Sequence, residues 1–170
     1  LEVIRKIIIE TVAVAAVKDC LVRVFVSRGL GGFSCKPTEC KKSNLYVIVL
    51  KKDAVPERFY KEGASAITSK IFAKPHFFAQ VKSCNYLPNV LVHLEAHTNK
   101  VDFAVMLDPQ GYIAEGATES VGMVNKQKVF LYPRLDNILK GTTLLRAVEL
   151  AKELIKTGEL KEISSRDISR

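Results

Sequence analysis

The stretch VKSCNYLPNVL at residues 81–91 is the most informative part of this chain, together with YIAEG at residues 112–116. The first stretch places Lys82 just before the predicted start of a helix, and the second places Glu115 at the end of a predicted hairpin strand. An amine forms an imine with an aldehyde, and a carboxylate holds a proton on a ring nitrogen. The two residues therefore suit a cofactor that carries both groups, although their spacing alone does not establish such a site.

The residues after this first stretch predict a second half built from two helices and several short strands. Asn85 is suited to cap a helix that runs to about His97, and Pro88 is tolerated in its first turn. A helix is also predicted at residues 144–157, introduced by two threonines and closed by Gly158. Apolar alternation and a DPQG β-turn predict the strands, at residues 103–107, 112–116, 121–124 and 129–132.

The residues before the first stretch predict a smaller mixed region. Residues 1–17 have apolar side chains at helical spacing, and residues 21–27 and 45–51 indicate two strands. Residues 64–71 could form a third strand, whereas FAKPHFFA at 72–79 has a proline and no clean period, which predicts an irregular connection. The fold class is therefore expected to be α+β. The predicted division is a first domain part at 1–72, a connection at 73–79 and a second domain part at 80–170.

The composition predicts a globular chain. With 170 residues, of which 48% are hydrophobic and 26% charged, it can form the core of one ordinary domain or two small ones. The formal net charge of +8 is spread along the sequence, which argues against nucleic acid as a partner. No apolar run approaches the roughly 20 residues that a membrane span needs, so no membrane partner is expected.

Cysteine and histidine residues give no disulfide or metal pattern. The four cysteines are few and irregularly spaced, so reduced thiols in an intracellular compartment are expected. His93 and His97 lie one helical turn apart, but no third ligand accompanies them in the sequence. We therefore predict no metal site.

The region from Lys82 to Leu145 resembles the class IV aminotransferases, which are pyridoxal-phosphate enzymes of fold type IV. The resemblance implies pyridoxal 5'-phosphate as the cofactor and a two-domain fold. Because the chain begins at Leu1 without a methionine and the family's domains extend further, the sequence is interpreted as a fragment truncated at both ends. The matching segments follow the family's order and are KSCNYLPNVL (82–91), LDPQGYIAEG (107–116), PRLD (133–136) and LKGTT (139–143).

The resemblance also implies roles for individual residues. Lys82 matches the lysine that binds the cofactor covalently and moves a proton, and Glu115 matches the glutamate that pairs with the pyridine nitrogen. Tyr86 matches a position that faces the cofactor ring, and packing into the core is an equal alternative. The remaining implied contacts are a turn beside the cofactor at Gly116, Ala117 and Thr118, and a phosphate contact at Thr142 and Thr143.

The segment LKGTT has a physical reason to bind phosphate as well. Amides at the start of a helix point toward an anion, and the helix dipole favours negative charge there. The alternative is that Thr142 and Thr143 merely cap the helix. Four positions in the chain differ from residues found in members of the family, namely Phe33, Cys35, Ser120 and Leu144.

The leading hypothesis is amino-group transfer between an amino acid, branched-chain or of D configuration, and a 2-oxo acid, with Lys82 as the catalytic residue. One alternative is a lyase that releases pyruvate from aminodeoxychorismate and leaves 4-aminobenzoate. Another is that the fragment is catalytically inactive. The plant-like character of residues 82–91 implies a plastid, or otherwise the cytoplasm, and the family implies a homodimer for the full-length protein.

Overall fold

The computed structural model describes residues 1–170, with the side chain of His76 left aside. Its chain divides into two compact units, residues 1–57 and residues 58–170. We call these unit 1 and unit 2. Both mix helices with strands, which confirms the predicted α+β class.

Unit 1 consists of one helix and one strand pair. The apolar spacing of its first residues forms helix α1 (Glu2–Ala15), which ends where Ala16 adopts the left-handed conformation at φ 51°. Strand β1 (Cys20–Ser27) pairs with β2 (Asn44–Lys51) in antiparallel register, from Cys20 opposite Lys51 to Ser27 opposite Asn44. A short 3₁₀ helix at Pro37–Glu39 lies in their connection. The predicted helix and both predicted strands are confirmed, with ends that differ by one or two residues.

Unit 2 contains two three-stranded sheets and the remaining helices. In the first sheet, β4 lies between β3, which runs parallel to it, and β5, which runs antiparallel. In the second sheet, β7 lies between antiparallel β6 and parallel β8. The elements of this unit are α2 (Arg58–Lys61), β3 (Ala66–Thr68), α3 (His76–Gln80), α4 (Leu87–Thr98), β4 (Phe103–Leu107), β5 (Ile113–Gly116), β6 (Met123–Val124), β7 (Val129–Tyr132), α5 (Thr142–Lys156) and β8 (Glu162–Ser165).

The core of unit 2 lies between α4 and the first sheet. Helix α4 buries Asn89, Val92 and Ala96, which are spaced so that they share one helical face. Val92 and Ala96 share the apolar cluster with Ala104 and Met106, two alternate residues of β4 that point to the same side of the sheet. The buried apolar cluster is Ala73, Val92, Ala96, Ala104, Met106, Ala114, Ala117, Ile138 and Leu144.

The β4–β5 hairpin is organised by one buried carboxylate. Asp108 is only 3% exposed, and its Oδ1 accepts hydrogen bonds from the N–H groups of Gln110 and Tyr112, each at 2.9 Å. Its other oxygen accepts a hydrogen bond from Asn137 Nδ2 at 3.1 Å. The predicted DPQG turn is confirmed, since the Gly111 N–H donates to the Asp108 carbonyl at 3.0 Å and Gly111 has φ 89°. Asp108 thereby joins the hairpin to the loop that precedes α5.

Several local predictions differ from the structure. The predicted irregular connection contains a short helix, α3, which begins directly after Pro75. Asn85 does not cap α4, because a local turn with a hydrogen bond from the Tyr86 N–H to the Cys84 carbonyl delays the helix start to Leu87. Strand β8 was not predicted, since it depends on pairing with the distant β7.

The predicted domain limits at 1–72, 73–79 and 80–170 stay a prediction. The chain divides into its two compact units between residues 57 and 58, and β3 pairs with β4 in the first sheet of unit 2. Within the described residues, none of the helices is long and apolar enough to cross a membrane.

Candidate active site

The eight residues with predicted site roles line one cavity in unit 2. Its volume is about 770 Å³, which lies within the range of small-molecule sites in proteins. Residues from four places meet there, namely the α3–α4 connection, the end of β5, the turn after it and the start of α5. The predicted residues are Lys82, Tyr86, Glu115, Gly116, Ala117, Thr118, Thr142 and Thr143.

Lys82 and Tyr86 form the open side of this cavity. The Lys82 amine donates a hydrogen bond to the Tyr86 hydroxyl oxygen at 2.6 Å. The amine also lies 5.3 Å from the centre of the Tyr86 ring, a distance that places it beyond the hydroxyl rather than above the ring face. The contact is therefore a hydrogen bond and not a cation–π interaction. Tyr86 is partly buried and faces the cavity, so its hydroxyl fixes the position of the lysine amine.

Glu115 forms the buried side of the cavity. It is 8% exposed, near the end of β5, and its Oε2 accepts a hydrogen bond from the Leu139 N–H at 3.1 Å. Burial raises the pKa of the Glu115 carboxyl above its usual value, whereas the Leu139 N–H and the positive charges of Lys74 and Lys82 act in the opposite direction. The site therefore holds a carboxylate whose charged form depends on its neighbours.

The loop before α5 is held so that its amide reaches Glu115. The hydrogen bond from Asn137 to Asp108 anchors the start of this segment, and Ile138 is fully buried in the core. Leu139, the next residue, then donates its N–H to Glu115. The core and the hairpin turn thus position the hydrogen-bond donor for the carboxylate.

The turn after β5 is closed by a second glutamate. The Gly116 N–H donates to the Glu119 carbonyl at 2.7 Å, and the Thr118 N–H donates to Glu119 Oε2 at 3.0 Å. The side chain of Asn89, from α4, donates to the Ala117 carbonyl. These contacts give the predicted turn at 116–118 a fixed shape on the cavity wall.

The start of α5 presents amides that could bind an anion. Gly141 occupies the N-cap position, and among the described residues no side chain caps this helix. Thr142 and Thr143 are its first two helical residues, so the alternative that they cap the helix is wrong. Uncapped amides at a helix start together with two hydroxyl groups suit a phosphate.

Gly141 lies in close contact with the Ser120 side chain. A β-carbon added there would lie 2.5 Å from the Ser120 hydroxyl oxygen, which is closer than side-chain carbons come to other atoms. Ser120 is one of the positions at which the sequence differs from common family members. The helix start and the turn after β5 therefore depend on each other's small residues. Leu144, another such position, is buried in the core at 6% exposure.

The sequence did not indicate four polar residues that line the same cavity, and they are Lys74, Asn89, Glu119 and Lys140. Lys74 lies in the segment for which only an irregular connection was predicted. Asn89 lies in a predicted helix whose neighbouring residues are mostly apolar, so no site role was predicted for it. The oxygen of the Asn89 side-chain amide is buried without a hydrogen-bond partner among the described residues. Buried polar atoms in proteins nearly always have a hydrogen-bond partner. We therefore expect this oxygen to accept a hydrogen bond from a bound group or a water molecule.

The sequence model described as amino-transferase class IV matches residues 1–170. The chain therefore belongs to the class IV aminotransferase family, as its resemblance implied. It is 38% identical over 169 residues to a chloroplastic D-amino-acid transaminase of Arabidopsis thaliana, a match that covers 99% of this chain and 44% of the relative. It is 39% identical over 70 residues to a branched-chain-amino-acid aminotransferase of Escherichia coli, which covers 41% of this chain and 23% of the relative.

A solved structure has the same fold. A branched-chain amino acid aminotransferase crystallised with pyridoxamine 5'-phosphate superposes with a TM-score of 0.86 and 26% identity, over 96% of this chain and 53% of that one. The predicted fold type IV is thereby confirmed. The chain spans about half the length of the curated relatives it matches.

Proposed function

We propose that the protein is a pyridoxal-phosphate-dependent aminotransferase that transfers an amino group between an amino acid and a 2-oxo acid. The observation that carries this proposal is the meeting of three chemical groups in one cavity. These are the Lys82 amine, the buried Glu115 carboxylate and the uncapped start of α5 at Thr142.

The residues of the cavity fit pyridoxal 5'-phosphate. The amine of Lys82 can hold an aldehyde, and the carboxylate of Glu115 can hold a protonated ring nitrogen. The amides and hydroxyls of Thr142 and Thr143 can bind the phosphate group, and the wall formed by residues 116–118 leaves room for a flat ring. When bound, this cofactor supplies an electron sink for the bond that breaks at the substrate's α-carbon.

The chain's own residues would do the remaining work. Lys82 would hold the cofactor through its amine and would then serve as the base that takes a proton from the substrate's α-carbon. Tyr86 holds the Lys82 amine through its hydroxyl at 2.6 Å, so that the amine stays at the open side of the cavity. Glu115 would keep a proton on the cofactor's ring nitrogen, because its carboxylate can accept a hydrogen bond from that nitrogen.

The amino-acid substrate is proposed to be branched-chain or of D configuration. Support comes from the relatives, which carry the names D-amino-acid transaminase and branched-chain-amino-acid aminotransferase. A panel of D- and L-amino acids with 2-oxoglutarate, assayed on the full-length protein, tests this. Turnover confined to unbranched L-amino acids would contradict the proposed substrate class.

Covalent labelling of Lys82 tests the proposal most directly. The 170-residue chain is incubated with pyridoxal phosphate, reduced with borohydride and mapped by peptide mass spectrometry. We expect the label at Lys82 and its loss in Lys82→Ala, while Lys126→Ala, which removes an exposed lysine outside the cavity, keeps it. Strong labelling confined to Lys82 would contradict the inactive-fragment alternative, and turnover is measured on the same sample. No label at Lys82 in the full-length protein would overturn the proposed function.

A half-reaction separates the transaminase from the lyase alternative. The loaded full-length protein is mixed with an amino acid in the absence of any 2-oxo acid. A transaminase accumulates pyridoxamine phosphate, which is detected by its absorbance and by mass. Turnover of aminodeoxychorismate to 4-aminobenzoate without that accumulation would instead support the lyase.

We further propose that the full-length protein is a homodimer in a plastid, with the domain limits predicted from the sequence. The plastid proposal rests on the chloroplastic relative, and the dimer on family membership. Light scattering of the full-length protein tests the dimer, and a fluorescent fusion tests the compartment. A monomer, or a fusion confined to the cytoplasm, would contradict the respective proposal. Limited proteolysis with cuts outside 73–79 would contradict the domain limits.

A further inference from the structure

Lys74 is a second lysine of the cavity, held in place by the residues on either side. Ala73 is 3% exposed, and its N–H donates to the Leu107 carbonyl at 2.9 Å, which anchors the backbone to the end of β4. Pro75 follows and restricts the conformation that Lys74 can adopt. The partly buried side chain of Lys74 therefore extends from a backbone that is held at the end of β4.

The amines of Lys74 and Lys82 contact Tyr86 in different ways. The Lys74 amine lies 5.3 Å from the centre of the ring, where the negative face of the ring attracts a cation. The Lys82 amine reaches the hydroxyl instead, at 2.6 Å. Tyr86 thus holds two positive charges in the same cavity, one at its ring and one at its hydroxyl.

Glu115 depends on nearby positive charge. It is buried at 8% exposure, and an ionised carboxylate in such a place is costly unless it is paired. The cations that act on it are Lys74 and Lys82, and its hydrogen-bond donor is the Leu139 N–H. The other titratable side chains of the cavity are Tyr86, Glu119 and Lys140. Glu119 is already engaged with the Thr118 amide, at 3.0 Å.

The charge of Lys82 near Glu115 is not constant if Lys82 is the reactive lysine. A lysine that serves as nucleophile and base gives up protons and forms and breaks a covalent bond during each turnover. Its contribution to the stability of the Glu115 carboxylate must change at the same moments. Lys74 takes no part in those steps, so its charge is available throughout.

We propose that Lys74 is a positioning residue that keeps Glu115 ionised while Lys82 is engaged in chemistry. The proposal rests on the proposed function for the role of Lys82, but the electrostatic link between Lys74 and Glu115 belongs to the chain itself. Lys74 thereby acts on the ring nitrogen only through Glu115, and touches no reacting atom. This separates its role from that of Lys82.

The link between Lys74 and Glu115 is tested without cofactor. The side-chain carboxyl carbon of Glu115 is followed by ¹³C NMR as the pH is raised, in the 170-residue chain and in Lys74→Gln, with circular dichroism as a check on folding. Loss of the positive charge should raise the pKa of Glu115 in Lys74→Gln, whereas Lys74→Arg should keep the titration midpoint of the original chain. Lys140→Gln, which removes another lysine of the cavity, should leave that midpoint unchanged. An unchanged midpoint in folded Lys74→Gln would overturn the proposal.

A double-mutant cycle tests whether Lys74 acts through Glu115 when the cofactor binds. In the full-length protein, Lys74→Gln should weaken pyridoxal phosphate binding by up to about fivefold, the size of one partly screened charge interaction. In a Glu115→Gln background the same change should have little further effect, because its target is gone. Equal losses in both backgrounds would contradict the proposal and indicate direct contact of Lys74 with the cofactor. Absence of binding in every variant would overturn the proposed function, while the NMR titration would still decide the link between the two residues.

Discussion

Unit 1 and unit 2 have equally regular secondary structure but differ in burial. In the described part of unit 1, no residue is buried, although β1 and β2 pair along their full length of eight residues each. Unit 2 contains the whole buried apolar cluster and the candidate cavity, with strands of only two to five residues. Regular helices and strands are therefore not sufficient for a site. The site forms where buried contacts fix loops against one another.

Two residues of the cavity wall show how buried neighbours position a site. Glu115 lies beside the buried Ala114, and Leu139 follows the buried Ile138. Two residues that are far apart in the sequence thus meet at 3.1 Å because each one's neighbour is held in the core. Unit 1 has no comparable arrangement among its described residues.

Truncation of matched isoleucines gives the largest expected difference between the units. Ile138 is fully buried, so Ile138→Ala should lower the free energy of unfolding of unit 2 by about 2–5 kcal/mol. Ile48 is 44% exposed in β2, so Ile48→Ala should cost unit 1 about 1 kcal/mol or less. Hydrogen exchange of amides in each unit measures both values. Equal decreases in the free energy of unfolding of the two units would contradict the difference in burial as the cause.

The contact between Gly141 and Ser120 provides the next largest effect. In Gly141→Ala the new methyl would lie 2.5 Å from the Ser120 hydroxyl oxygen. Because this hydroxyl must rotate away, the free energy of unfolding should fall by about 1 kcal/mol. Binding of inorganic phosphate or pyridoxal phosphate, followed by calorimetry, should weaken accordingly.

Removal of the Ser120 hydroxyl should relieve this strain. In a Ser120→Ala background the nearest remaining atom of that side chain, its β-carbon, lies 3.8 Å from the added methyl, an ordinary contact distance. Ser120→Ala with Gly141→Ala should therefore bind more tightly than Gly141→Ala alone. If the double variant binds the ligand as weakly as Gly141→Ala alone, the contact with the Ser120 hydroxyl is not the cause of the weaker binding.

The burial of Glu115 should also make the free energy of unfolding depend on pH. Burial raises the folded-state pKa of Glu115, so its contribution to stability is present at low pH and is lost as the pH rises through that raised value. Glu115→Gln removes this loss. Urea unfolding at pH 4 and pH 8 should show the variant gaining stability relative to the original chain as the pH rises. A constant difference would show that Glu115 titrates normally.

The smallest effect is expected at an exposed edge of unit 2. Arg58 forms a two-point ion pair with Asp102, and Ser65 donates its N–H to the same carboxylate at 2.8 Å. Hydrogen bonds from Arg58 and Ser65 lower the pKa of Asp102, so its contribution is present at neutral pH and is lost on acidification. The free-energy difference between the original chain and Asp102→Asn should shrink as the pH falls, opposite in sign to Glu115. Added salt should reduce the difference at neutral pH, because the Arg58 side chain is half exposed.

Much of the local structure could be predicted from the sequence, since it depends on short-range patterns. The strand at Phe103–Leu107 and the DPQG turn follow from apolar alternation and turn residues a few positions apart. Strand β8 could not be predicted in this way, because its only partner is β7, some thirty residues earlier. The delayed start of α4 escaped prediction for a related reason, since Ser83 and Cys84 form a turn that competes with capping by Asn85.

The residues of the candidate site could likewise be predicted only in part from the sequence. The family segments identified Lys82, Tyr86, Glu115 and the threonines of α5, all of which line the cavity. Lys74 lies in a segment without a recognisable period, and its relevance depends on reaching the Tyr86 ring from the edge of β4. No pattern of neighbouring residues could have predicted that contact.

The sequence by itself determined the family and most of the helices and strands, and it indicated the residues proposed for the site, because these follow from residue identity and spacing. The tertiary structure decided how deeply Glu115 is buried, which charges act on it, and that the start of α5 is uncapped. These properties arise from contacts between residues that are distant along the chain. A carboxylate's ionisation and an amide's freedom to bind an anion depend on such contacts, and therefore only the folded chain sets them.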